Sequence, residues 1–531
     1  MYLYKVRSGG IFLLELKKHE IRQNRKKAGA FTQITLDDDY IVPDSKADVV
    51  KIIHTMGNVT FEEPKVTGQS VWVKGRMDFT VLYRSDQAEN KVEALQGAIP
   101  FQEKISMDGV DEEDPVNLSW DMEDLSVNLI NSRKLDVRAL LDIRAEAEEK
   151  GSEEIPESAE CTGEYQQKNT ECTLMNLIID KKDILRVRNE ITLPNAKPNI
   201  YKILWQSIQP QNIEKELENG EIRIRGEAQV GILYRAEEDE QVQWFETTMP
   251  FQGNIECEDA ASGDIFWVQL EPASMEIESR GDYDGEERLL GIEMVFGANV
   301  RIWREETVRV LQDIFAVNKK VLPQTQDAIY QELVVKNHAK IRMGDQMHLE
   351  GEKEKILQIC SCRGDIHIDE ASQTPEGIFV SGVLTVHLLY VTADDNYPVE
   401  HIREILPFEQ LVEVPGISKD VQFYMEHGID QINVNLLDNS TYEVKAAVSL
   451  EVLAIREHHY NKITDLKEEP FDPEELKRQP GIMGYVVKEG EELWDIAKQY
   501  HTTVGELMQT NSLKAEKPEA GSRILIVKKV G

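Results

Sequence analysis

Three stretches of the chain repeat one pattern: VWVKGRMDFTVLY at residues 71–83, IRIRGEAQVGILY at 222–234 and IFVSGVLTVHLLY at 378–390. In each, one parity is apolar: Val71, Val73, Gly75, Met77, Phe79, Val81 and Tyr83 in the first, with the matching set from Ile222 to Tyr234 in the second and Ile378 to Tyr390 in the third. The other parity carries Lys74, Arg76, Asp78 and Thr80, or Arg223, Arg225, Glu227 and Gln229. A period of two with one apolar parity is a β-strand that lays one face on a core. A glycine recurs in register (Gly75, Gly226, Gly382), where so long a strand is expected to bend or bulge. The pattern therefore predicts a triplicated β domain.

Other markers keep the same spacing. Pro43-Asp44-Ser45-Lys46 returns as Pro194-Asn195-Ala196-Lys197, the same 151 residues that separate Gly75 from Gly226, and Gly382 follows 156 residues later. Pro100-Phe101, Pro250-Phe251 and Pro407-Phe408 each come after the long strand. A period near 150 is far longer than a solenoid repeat, so the copies read as tandem globular domains. Residues 1–30 read as an N-terminal extension with a helix over Leu14–Lys27, and the Glu-rich stretch 145–172 as an acidic linker.

Sixty basic against 97 acidic residues leave a net charge of −37, which disfavours nucleic acid and anionic membrane surfaces as partners. Five cysteines are an odd and sparse set, as expected in a reducing compartment rather than in a disulfide framework. The apolar run Ile11–Leu14 is too short for a signal-peptide core, and no run of about 18 apolar residues occurs. A cytosolic location is expected.

From Asn461 to Pro480 the pattern lapses into a charged, proline-punctuated tether with at most a short helix over Glu474–Arg478. A different module follows. Tyr485-Val486-Val487 reads as a strand and Gly490 as a turn; Leu493, Ile496, Ala497 and Tyr500 lie on one helical face. Thr503 is an expected N-cap for a second helix carrying Val504, Leu507 and Met508, and Ile524–Val527 is a final strand. The expected fold class is mainly β with a small α+β domain: β-rich domains at 31–150, 173–316 and 317–460, a linker at 461–482 and a βααβ module at 483–531.

The terminal module resembles a LysM domain on Tyr485, Gly490, the Leu493-Trp494-x-Ile496-Ala497 core, Tyr500, Asn511, Gly521 and the strand Ile524–Ile526. The three upstream copies resemble SPOCS domains on the opening Ile34–Ile52, the glycine-to-tyrosine strand and the Pro-Phe marker. Three SPOCS domains and a LysM domain together resemble the SipL family of spore-coat morphogenetic proteins. That resemblance implies a non-enzymatic adaptor in the mother-cell cytoplasm, at the forespore surface, whose LysM domain binds the coat ATPase SpoIVA rather than a glycan. Sugar-binding LysM domains carry Asp-Thr or Asp-Ser where this chain has Glu491-Glu492, and Ser512 replaces the usual Pro or Ile. Two carboxylates there would crowd the sugar groove. The competing readings are a peptidoglycan-binding protein of the wall or cortex, and a wall hydrolase targeted by its LysM domain.

Five residues are singled out for partner binding: Trp494, one position off the helix stripe, where an exposed tryptophan makes a binding anchor; the apolar pair Ile482 and Met483; and the acids Glu491 and Glu492. Cys360-Ser361-Cys362 with His367 lacks a second ligand pair, Glu457-His458-His459 lacks zincin spacing, and Asp37-Asp38-Asp39 reads as a turn or edge, so no metal site is expected. No phosphate-binding loop, dinucleotide fingerprint or nucleophile elbow occurs, and no cofactor or catalytic residue is assigned.

Overall fold

The computed structural model describes residues 15–87, 91–237, 241–349, 355–394, 396–472, 474 and 480–527. The first copy contains β1 (Glu15–Ile41), β2 (Val49–Phe61), β3 (Lys65–Val66), β4 (Ser70–Ser85), β5 (Val92–Ser106), β6 (Val116–Asn131) and β7 (Lys134–Glu160). The second contains β8 (Tyr165–Thr192), β9 (Ile200–Glu218), β10 (Glu221–Ala236), β11 (Val242–Glu256), β12 (Ile265–Gly281) and β13 (Glu287–Ala316). The third contains β14 (Lys320–His348), β15 (Ile356–Thr374), β16 (Gly377–Thr392), β17 (Val399–Glu413), β18 (Val421–Leu436) and β19 (Thr441–Glu469). In every copy the repeated strand (β4, β10, β16) is the centre of one antiparallel sheet, and the last strand (β7, β13, β19) is the centre of a second. The two sheets enclose the core, which in the second copy joins Ile222, Ile224, Val230 and Tyr234 to Leu290, Ile292, Phe296 and Val300. This is the sandwich that alternating strands dictate: the apolar parity turns inward and the charged parity outward.

The repeated markers have a common cause. Gly75 pairs directly with Phe101, Gly226 with Phe251 and Gly382 with Phe408. A Cβ on these glycines would come within 2.5, 2.7 and 3.0 Å of the phenylalanine Cζ, so each ring occupies the space that the glycine vacates. Register shifts flank Gly226 on β9 and Gly382 on β15, the irregularity that the glycine leads one to expect. The tyrosine hydroxyls finish the motif: Tyr83 donates to Ala47 O and Tyr234 to Pro198 O, both at 3.0 Å, pinning the Pro43 and Pro194 turns.

The copies are not separate beads. Leu82, Leu233 and Leu389, equivalent residues on the nominally polar parity, meet in one cluster with Ile53, Leu204, Trp205, Val92 and Val399. Equivalent positions converging at one point place the three sandwiches about a common axis. Glu93 of copy one receives Arg235 at 2.6 Å and Lys202 at 3.0 Å, both from copy two, and Lys51 of copy one reaches Glu400 of copy three at 2.7 Å.

The first and last strands of each copy are far longer than a sandwich needs, and they pair along their whole length. Their outer halves form three two-stranded arms that bundle together. Ile21 and Ile155 pack with Leu174, Val308, Val310, Ala328 and Tyr330, and farther out Ala159 meets Leu311, Ile314, Val321, Ile463 and Leu466. Between the sandwiches and the arm tips, Arg301 of copy two pairs with Glu148 of copy one and donates to the Tyr424 hydroxyl of copy three at 3.2 Å.

These arms correct three expectations. The stretch expected as a helix over Leu14–Lys27 is strand from Glu15 onward, because pairing with β7 and burial of alternate residues such as Ile21 and Gln23 override its helix-favouring composition. The supposed acidic linker 145–172 is arm, and its glutamates are paired there: Glu154 faces outward onto Lys18 at 2.6 Å, while Glu148 and Glu153 turn inward onto Arg301 and Lys462 of the other copies. The third copy runs past residue 460 to Glu469, so the strand occupies part of the expected tether. Residues 1–14 of the expected extension, and most of the short helix over Glu474–Arg478, lie outside the described residues.

The terminal module is the expected βααβ unit: β20 (Ile482–Val486), α1 (Leu493–Tyr500), α2 (Val504–Asn511) and β21 (Arg523–Val527). Among the described residues no helix is long and apolar enough to cross a membrane.

Candidate functional site

The small module is built by local signals. Asp495 accepts from the Glu492 amide at 3.2 Å, closing the first turn of α1, and Thr503 Oγ1 accepts from the Glu506 amide at 3.2 Å, capping α2. Leu493, Ile496, Ala497, Val504 and Leu507 form the core with Ile524 and Ile526. Asn511 locks the far side: its side chain donates to Leu507 O and Leu525 O and accepts from the Leu525 amide.

Trp494 is half-buried beside this core, and what covers it is the second copy. Its indole lies edge-on to Phe315 of β13 with centroids 4.8 Å apart, and Nε1 donates to Asp313 Oδ2 at 2.9 Å. Lys498, one turn along α1, reaches both oxygens of Asp313 at 2.7 Å. Lys168 of β8 pairs with Glu492 at 2.7 Å, and Gln166 accepts from the Val504 amide at 2.9 Å. The module thus sits on the tip of the second arm, gripping it by the α1 flank and the start of α2.

The two acids are restrained. Glu491 turns back onto its own module, accepting from the Lys488 amide at 2.8 Å and from the Tyr485 hydroxyl at 2.8 Å; the amide bond first, and then the hydroxyl, hold its carboxyl below the usual range. The Lys168 ammonium does the same for Glu492. Met483 is partly buried against the core, whereas Ile482 is 66% exposed.

Ile482 belongs to a face that pattern reading missed. On the outer side of the β20–β21 pair, Ile482 lies opposite Val527 and Gly484 opposite Leu525, with Val486 beyond; all four apolar side chains are exposed. The signal was present in Ile524-Leu525-Ile526-Val527, a continuous apolar run of which a two-stranded sheet on one core can bury only alternate members. The acceptor Asp313 and the packing ring Phe315 carry no such signal, since their role depends on where the arm ends.

Comparison with known families is consistent with this geometry. A family described as SipL, SPOCS domain, matches residues 48–130, 199–279 and 355–437, and the LysM domain family matches residues 485–527. No curated protein and no solved structure matches the chain. The three SPOCS matches each begin within one residue of the second strand of a copy and end in, or one residue past, its penultimate strand, so the paired long arms lie largely outside them. The chain has the SipL-like architecture, three SPOCS domains followed by a LysM domain, and is a sporulation-related protein.

Proposed function

We propose that this protein is a non-enzymatic adaptor of spore-coat assembly whose LysM module holds the coat ATPase SpoIVA at the forespore surface, in the mother-cell cytoplasm. The observation that carries the reading is the contact of Trp494 and Lys498 with Asp313: in this chain the LysM fold already grips polypeptide. With that flank engaged, the apolar outer face of Ile482, Val486, Leu525 and Val527 is the side that receives the partner. The glycan reading is weakened by Glu491 and Glu492, both tied by hydrogen bonds or ion pairs at the approach to α1. Burial, and after it the nearby Glu246, push the Cys360 thiol up to about 12, which suits a core residue and not a nucleophile.

Co-purification from sporulating cells tests the proposal. Removing residues 481–531 should abolish recovery of SpoIVA while the three β copies stay folded. Full recovery by the truncated chain, or pelleting of the intact chain with purified peptidoglycan, would favour the wall-binding reading instead.

A further inference from the structure

Three imidazoles from distant parts of the chain meet where the third copy closes against the first. His54 comes from β2; His387 and His401 come from β16 and β17, diagonal neighbours on one sheet face, since His401 pairs with Leu389. His387 Nδ1 and His401 Nε2 stand 3.1 Å apart, the His54 ring is 4.0 Å from His401 and 5.2 Å from His387, centroid to centroid, and one nitrogen from each ring lies within 4.8 Å of the others. Two nitrogens held at 2.0–2.1 Å by a tetrahedral ion are about 3.4 Å apart, so modest side-chain rotations close the site.

Two further features favour a ligand over a packed histidine cluster. His54 is 8% exposed, its ring packed on His401 and on Trp205 of the second copy (centroids 4.0 and 4.8 Å), and among the described residues no protein hydrogen bond occupies its nitrogens, which leaves one open to a ligand. Behind His387, on the nitrogen turned away from His401, the Asp365 carboxylate lies 3.6 Å from Nε2 and is itself held by Arg363 at 3.0 Å. At 3.6 Å this is a contact short of a hydrogen bond, and a small rotation of the ring closes it, placing the carboxylate where it supports a metal-bound histidine and leaves Nδ1 to ligate.

We propose that His54, His387 and His401 bind a divalent transition metal ion, with water in the fourth position, clasping the first copy to the third. Imidazole-only donors favour zinc, copper or nickel over magnesium and calcium. A neighbouring set on the same seam, Asp121, Glu123 and His367, serves as the control, because its histidine is committed to Asp121.

Full-length protein stripped with chelator and titrated with Zn2+ against a chromophoric competitor should bind one equivalent. His54→Gln and His401→Gln should each weaken binding at least about 100-fold, and Asp365→Asn about tenfold, while His367→Gln leaves it within threefold. No binding, retention of affinity in His401→Gln, or loss confined to His367→Gln overturns the proposal. Because replacing buried His54 could loosen the seam, circular dichroism accompanies each variant, and the wild type is also loaded with Co2+. Visible bands of a four-coordinate, nitrogen-rich site are expected, and a six-coordinate all-oxygen spectrum overturns the assignment.

Discussion

Trp494 Nε1 donates to Asp313 Oδ2 at 2.9 Å across 181 residues of sequence, and Lys498 shares the same carboxylate. The pair joins a LysM helix to the end of a SPOCS arm. A hydrogen bond to a charged group contributes about 1.5–3 kcal/mol, while a half-exposed ion pair adds at most about 1 kcal/mol. Asp313→Ala should therefore shift the docked module toward release by about 2 kcal/mol, roughly 30-fold. Faster proteolysis between residues 470 and 481, with an unchanged unfolding transition of the β copies, is the expected outcome. Unchanged cleavage would mean that Phe315 packing alone holds the module.

Gly226 and Gly231 lie five residues apart on β10 and should respond oppositely to alanine. At Gly226 the new methyl would meet Phe251 Cζ at 2.7 Å and Cε1 at 2.9 Å, an overpacked site that costs about 1–3 kcal/mol. At Gly231 the nearest atom is Ser361 Oγ at 3.5 Å, an ordinary contact, and the less flexible unfolded chain should stabilise the variant by about 0.4–1 kcal/mol. Denaturant midpoints of the two variants decide this. Equal destabilisation would show that the Phe251 ring is not what requires glycine at position 226.

The strand, glycine and phenylalanine were legible because each acts within one copy, where periodicity and spacing are direct records of contact. The assembly was less so. Leu82, Leu233 and Leu389 precede the motif tyrosine on the polar parity in all three copies, a repeated exception to alternation that marks the shared axis. The arms were hidden for a physical reason: strands in a three-armed bundle bury only a narrow face, so Ile21, Ile155 and Ala159 are diluted among charges and the segment reads as helix or linker. At the candidate site the sequence pointed to Trp494, but not to its acceptor, because Asp313 becomes a partner only where the second arm ends.

Glu93 makes the seam between the first two copies sensitive to acid. Burial pushes its pKa up, but hydrogen bonds from Arg235 and Lys202 outweigh this and hold it below the ordinary value of 4.5. A depressed folded-state pKa contributes stability in full above the unfolded-state value, and that contribution is lost as pH falls through the folded-state value. The wild type should thus lose stability progressively below about pH 4.5 through this group. Glu93→Gln should cost about 2 kcal/mol at neutral pH, since it replaces the charged acceptor shared by Arg235 and Lys202 with a neutral amide. It should also flatten that part of the acid limb. An acid limb identical in wild type and variant would remove Glu93 from the account.

The outer face of the LysM sheet yields the sharpest test of partner binding. Leu525 and Val527 are 43% and 42% exposed, and their neighbours Ile524 and Ile526 fill the core, so charge placed on the outer pair should spare the fold. Substitutions away from packed or hydrogen-bonded sites usually change stability by under about 0.5 kcal/mol. A carboxylate placed on a face that a partner must desolvate is left without a hydrogen-bonding or charged counterpart, which costs about 2 kcal/mol or more, near 30-fold in affinity. Leu525→Asp and Val527→Asp should accordingly weaken the proposed capture of SpoIVA by one to two orders of magnitude in surface plasmon resonance, with melting temperature preserved. Trp494→Ala should leave that affinity unchanged or raise it, because the indole is occupied by Asp313 and Phe315 within the chain. The reverse ranking, with Trp494→Ala severe and the sheet variants silent, would assign the partner to the α1 flank and require the module to leave the arm before binding.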